Sequence, residues 1–79
     1  RIVGEQVAAA RRLLRMTQIE LATATGLTQW TIIRFESGKN VRPETVEGIR
    51  EALLARGIVF TNGDKPGCYF DREKVSIRT

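Results

Sequence analysis

"TQIELATATGLTQWTIIRFESGK", Thr17 to Lys39, carries two helix starts and two helix stops in one uninterrupted run. Thr17 opens "TQIE", a capping box: its hydroxyl can accept from the Glu20 amide while the Glu20 carboxylate reaches back to the Thr17 amide. Helix two is expected over about 18 to 24, and Gly26 stops it, because glycine takes positive φ without steric cost. Thr28 is an N-cap for helix three, which runs to about Ser37, where Ser-Gly-Lys-Asn supplies the next stop.

A corner made of two short helices must bury one face of each. Leu21, Ala22, Thr25, Leu27, Ile32 and Phe35 are apolar or small and fall on that face, with Ala22 letting the helices approach. Left over on helix three are Thr28, Gln29, Trp30, Ile33, Arg34 and Ser37, of which 30, 33, 34 and 37 share one stripe. That mixture suits a DNA major groove. In such a groove Gln29 can pair with adenine N6 and N7, Arg34 with guanine O6 and N7, and Trp30 or Ile33 can touch a thymine methyl. The blander placements for Trp30 are against helix two or against a second copy of the chain.

Ahead of this corner, "EQVAAARRLLR" (5 to 15) is expected as helix one, with Val7, Ala10 and Leu14 on one stripe. Pro43 suits the first turn of helix four, which continues as "ETVEGIREALLAR" with Val46, Ile49 and Leu53 inward, and Gly57 closes it. Ile58–Thr61 and Cys68–Phe70 are β-prone runs around a Gly/Asn/Asp/Pro turn and predict a hairpin. Three segments are expected: a helix-turn-helix unit over 1–57, a hairpin over 58–71 for packing or dimerisation, and a charged tail over 72–79. "KVSIR" within that tail forms a strand where a partner supplies an edge. The chain opens on Arg1 without a methionine, so Arg1 is expected not to be the natural start.

A net charge of +4 and a pI near 10.0 point to an anionic partner, since Lys and Arg gain affinity by releasing counterions condensed on phosphates. Most of the excess, +3, lies in residues 1 to 40. The 79 residues make one domain that buries only about 60% of its unfolded surface, so its core must come from local contacts. Apolar runs are too short to cross a membrane, and a soluble protein with no membrane partner is expected. Cys68 is the single cysteine and histidine is absent, which removes disulfide frameworks, common zinc spacings and Cys–His or Ser–His nucleophiles. Cys68 reads as a small apolar strand residue. Glu44, Glu47 and Glu51 lie along a helix as surface charge; neither enzymatic activity nor a cofactor is expected.

From Val3 to Leu54 the sequence resembles the phage-repressor-like DNA-binding domain, the Cro and lambda-repressor type of helix-turn-helix, also called XRE-like. "TQIELATATGL" followed by "TIIRFESGK" is the specific part of the match. The resemblance implies a mainly α, compact domain of four to five helices, here with a short C-terminal β-hairpin added. It implies that Gln18 touches phosphate and buttresses the base-reading Gln29, and that Arg11 and Glu36 form a salt bridge between helices. It also implies that Ser37, Lys39 and Arg42 approach the phosphate backbone; Thr28, at the start of helix three, is expected to join them. Trp30 departs from the family, where a small or polar residue is common, and so does Ile33, where charged or amide groups are frequent. The hairpin stands in place of the extra helix that many relatives use to dimerise.

The expected function is that of a sequence-specific, double-stranded-DNA-binding transcriptional regulator, a repressor, acting as a homodimer in the cytoplasm of a prokaryotic or phage-type system. The alternative is an antitoxin-type or bridging protein that binds a protein partner through its C-terminal strands as well as DNA.

Overall fold

The computed structural model describes residues 1–77. Four helices, α1 (Gly4–Leu13), α2 (Gln18–Thr25), α3 (Gln29–Glu36) and α4 (Pro43–Leu54), precede an antiparallel hairpin of β1 (Arg56–Thr61) and β2 (Gly67–Val75). The core is one cluster drawn from every helix, from β1 and from Ile2 ahead of α1: Ile2, Val7, Ala10, Leu21, Ala22, Ile32, Phe35, Val46, Ile49, Leu53 and Ile58. No helix among the described residues is long and apolar enough to cross a membrane.

The first three helices end by the same device. Arg15, Gly26 and Gly38 each take positive φ (55°, 72° and 86°). The amide after each returns to a carbonyl five residues back: Met16 to Arg11, Leu27 to Ala22 and Lys39 to Arg34, at 2.8 to 2.9 Å. This six-residue closure satisfies carbonyls that a helix end otherwise leaves open. Two of the three sites use glycine, as the conformation favours. At Arg15 an ordinary residue does the same, so α1 stops at Leu13, two residues short of the expected end. Helix four likewise ends at Leu54 rather than Arg56, because Arg56 and Gly57 already belong to β1.

Gln6 is buried to 2% exposure on the inner side of α1. Its Oε1 accepts from the Val3 amide at 2.8 Å, which caps α1, and its Nε2 donates to Thr61 O at 2.8 Å and Gly67 O at 2.9 Å. One amide thus holds the start of the first helix and the turn end of the hairpin together. Gly4 lies beside it where α1 meets the end of α3; a β-carbon there would stand 2.1 Å from Phe35 O, so only glycine fits.

The hairpin is longer than the β-prone runs. Ile58 pairs with Phe70 and Phe60 with Cys68, but Arg56 pairs with Val75, so residues 71–74 bulge opposite Gly57. Gly57 has φ 94°, and a β-carbon would lie 2.8 Å from Asp71 O. Residues 72–75, expected in a charged tail, are therefore strand. Beyond them the Ser76 and Ile77 amides bond Ala55 O at 2.8 and 3.3 Å, tying the chain to the end of α4. The edge that receives Val75 belongs to the same chain; Arg78 and Thr79, the last of the expected tail, lie outside the described residues.

Candidate nucleic-acid interface

The corner between α2 and α3 is built by local chemistry. Thr17 Oγ1 accepts from the Glu20 amide at 3.0 Å and Glu20 Oε1 accepts from the Thr17 amide at 2.8 Å, so both halves of the capping box close. Those bonds hold the Glu20 carboxyl below its ordinary pKa, the Thr17 amide contributing most. At the far end of α2, Thr25 Oγ1 donates to Leu21 O at 2.8 Å. Thr28 Oγ1 then accepts from the Thr31 amide at 3.2 Å and starts α3. Leu21, Ala22, Ile32 and Phe35 are buried inside the corner, with Leu27 packed against them.

A polar node locks this corner to the rest. Arg11 Nε and Nη2 donate to the two Glu36 oxygens at 2.7 and 2.9 Å, and Arg11 Nη1 donates to Met16 O at 3.0 Å. Gln18 Nε2 donates to Glu36 Oε1 at 3.2 Å. One carboxylate at the end of α3 thereby joins α1, the α1–α2 turn and the first residue of α2. The hydrogen bond to Glu36 raises the Arg11 pKa further, desolvation opposing it.

On the opposite side of α3, Gln29 and Trp30 stand in solvent, Trp30 with 65% of its surface exposed. Ile33 and Arg34 are half-buried and Ser37 is exposed, its hydroxyl donating to Ile33 O at 2.8 Å. The Arg34 guanidinium carbon lies over the Trp30 ring, 5.9 Å from its centroid, and Nη2 makes a long contact of 3.5 Å to Asn40 O. Lys39 and Arg42 are exposed beyond the helix. The structure therefore gathers Gln29, Trp30, Ile33 and Arg34 on one helix, with Thr28, Ser37, Lys39 and Arg42 around its two ends. Gln18 is turned to Glu36, and among the described residues no hydrogen bond joins it to Gln29.

Two features of this face escape sequence reasoning. Asn40 enters through its backbone carbonyl, which no residue-type pattern reveals. Ile19 is 59% exposed on α2, and its signal was available: it lies one residue off the stripe formed by Gln18, Leu21, Ala22 and Thr25. Cys68 is half-buried on the core-facing side of the hairpin, its thiol 3.8 Å from Gln6 O, and burial pushes its pKa up, away from the reactive thiolate.

Two short helices joined by a glycine turn, the second with a solvent-facing polar and aromatic stripe, define a helix-turn-helix DNA-binding domain. A family model described as "Helix-turn-helix" matches residues 7–54, more than half of the chain, and the chain belongs to that family. No curated protein matches the chain. Its architecture is that of a DNA-binding regulatory protein.

Proposed function

We propose that the protein is a sequence-specific transcriptional regulator of the phage-repressor type, acting as a repressor, that lays α3 in the major groove of double-stranded DNA. Gln29, Trp30, Ile33 and Arg34 face the base edges; Gln18, Thr28, Ser37, Lys39 and Arg42 approach phosphates around them. The observation that carries this proposal is the asymmetry of α3. Ile32 and Phe35 are buried, whereas Trp30, the largest side chain of the helix, is 65% exposed beside an exposed Gln29. A large aromatic left in water on the helix whose partner-facing side is already filled needs a surface to meet.

One module of this size reads few base pairs, so two copies are expected on a two-fold site with half-sites about one helical turn, roughly 34 Å, apart. The hairpin is the proposed dimer surface: Val59 and Tyr69 form a cross-strand pair on its outer face, and Tyr69 is 50% exposed. Such a protein works where the DNA is, in the cytoplasm of a prokaryotic or phage-infected cell.

Selection from randomised duplex DNA, with the bound fraction followed against salt, tests the proposal. A two-fold symmetric motif is the expected outcome. Salt-sensitive binding without any enriched motif would remove α3 as a base reader.

A second reading draws on the exposed apolar residues of the hairpin end, Tyr69, Phe70, Val75 and Ile77. In it the C-terminal strands hold a different protein, as in an antitoxin or a bridging factor, while the helices hold DNA. A short asymmetric DNA motif bound by a monomer would favour it over the dimer.

A further inference from the structure

An arginine at a groove surface is a poor base reader until it is held in place, because its long side chain loses rotamer freedom when it is fixed in the groove. Arg34 is not loose. Two groups contact it: the Trp30 ring, 5.9 Å from the guanidinium carbon, and the Asn40 carbonyl oxygen, 3.5 Å from Nη2. Trp30 is one helical turn N-terminal to Arg34, the i, i+4 spacing at which side chains meet. Asn40 follows the left-handed stop at Gly38, where the Lys39 amide bonds Arg34 O at 2.9 Å and so folds the chain back beside Arg34's own turn.

The chemistry of the two contacts differs in a way that matters for recognition. Attraction between a cation and an aromatic face acts on the charge as a whole and consumes none of the five guanidinium N–H donors. The Asn40 contact is long and engages a single nitrogen. A guanidinium held in this way keeps donors for the forked pairing with guanine O6 and N7.

We infer that Trp30 is a positioning residue for base selection: it holds the Arg34 guanidinium in its reading pose, so that its aromatic face is required for the preference Arg34 imposes. This rests on α3 being the base reader. It explains a feature that thymine-methyl contact alone does not require, namely that the bulky side chain at position 30 is aromatic rather than aliphatic. Trp30 supplies the face, Arg34 the donors, and Asn40 a second contact on one nitrogen.

The test measures wild type, Trp30→Phe, Trp30→Leu, Arg34→Ala and the Trp30→Leu/Arg34→Ala double variant on a site selected from randomised duplex DNA and on its single-base-pair variants. Trp30 is exposed, and thermal unfolding of each variant checks that the fold is kept. Trp30→Leu is expected to lower discrimination about two- to fivefold at the same base pair that Arg34→Ala affects, the factor that an exposed cation–aromatic pair supplies. Trp30→Phe should restore part of that discrimination, and the double variant should discriminate no worse there than Arg34→Ala alone. The inference is overturned if Trp30→Leu acts at a different base pair, if the two substitutions add at the shared one, or if Phe and Leu are equivalent. A wild-type protein that enriches no motif would overturn the base-reading role of α3 itself and this inference with it.

Discussion

The Arg11 guanidinium grips the Glu36 carboxylate with two parallel hydrogen bonds of 2.7 and 2.9 Å, with side-chain exposures of 13% and 8%. An arginine fork on a carboxylate fixes orientation as well as distance. Because Gln18 also bonds Glu36, the pair sets how the α2–α3 corner sits on α1.

Arg11→Ala should therefore cost about 2–3 kcal/mol of unfolding free energy, below the value for a fully buried pair because both groups retain some solvent. Arg11→Lys should recover less than half, since a lysine keeps the charge and loses the fork. Urea unfolding measures both. A loss under about 0.5 kcal/mol for the alanine variant would put the pair with ordinary surface bridges. The raised Arg11 pKa makes its contribution complete below the unfolded arginine value, to be lost only as pH climbs through the higher folded one. It is accordingly flat across neutral pH.

Gln6→Glu tests the amide that joins α1 to the hairpin. The new carboxylate can still accept from Val3 but faces the Thr61 and Gly67 carbonyls with no proton to donate, so stability at pH 7 should fall by about 2–4 kcal/mol. Protonation restores one donor. The gap to wild type should shrink as pH falls from 7 towards 4; a gap that is constant or grows would show that the carbonyls find other partners.

At Arg15 the left-handed backbone carries a β-carbon, with φ 55°. Arg15→Gly removes that strain but loosens the unfolded chain, for a net gain of about 0.5 kcal/mol. Thermal unfolding should show a small rise in Tm, and a fall would mean that the arginine side chain contributes something the backbone does not reveal.

The capping box sets a pH signature at α2. With its pKa lowered in the fold, Glu20 contributes stability that is present above the unfolded glutamate value and lost as pH drops through the folded one. Wild type should thus lose its advantage over Glu20→Ala as pH falls below the ordinary glutamate range. Identical pH profiles for the two proteins would deny the carboxylate its capping role.

On DNA, Arg34→Ala should weaken binding to the selected site by about 1–3 kcal/mol and relax preference at one position, whereas Lys39→Ala should weaken all sequences alike and shallow the salt slope by about one. Indistinguishable behaviour of the two variants would abolish the division between reading and clamping residues.

The α2–α3 corner is legible in the sequence because each of its signals acts over a few residues. A threonine four places before Leu21, a glycine after Thr25 and a threonine before Gln29 fix where the helices start and stop, and the structure places the boundaries within a residue of those signals. The buried faces follow from the same short period: Leu21, Ala22, Ile32 and Phe35 are in the core, as are Val7, Ala10, Val46, Ile49 and Leu53. Thr25, Leu27 and Leu14 fell on the buried stripes and are only partly covered, since they lie where those stripes reach the surface.

Other features have no local signature. Ile2 and Ile58, 3% and 1% exposed, join the core from outside any helical stripe. The end of β2 was hidden because its charged composition resembles a solvated tail, and its pairing depends on a bulge that Gly57 permits.

The helices, their inward faces and the outward stripe of Trp30, Ile33, Arg34 and Ser37 beside Gln29 follow from the sequence alone, because hydrogen bonds and side-chain periods that close within one or two turns govern them. The folded chain alone shows that Gln6 clamps carbonyls 55 and 61 residues away and that a backbone turn brings Asn40 beside Arg34, while the Arg11–Glu36 pair, 25 residues apart, is foreseen only through the family resemblance. Those contacts form because the packed core brings distant segments within hydrogen-bond reach, and no pattern of neighbouring residues encodes which distant group will arrive.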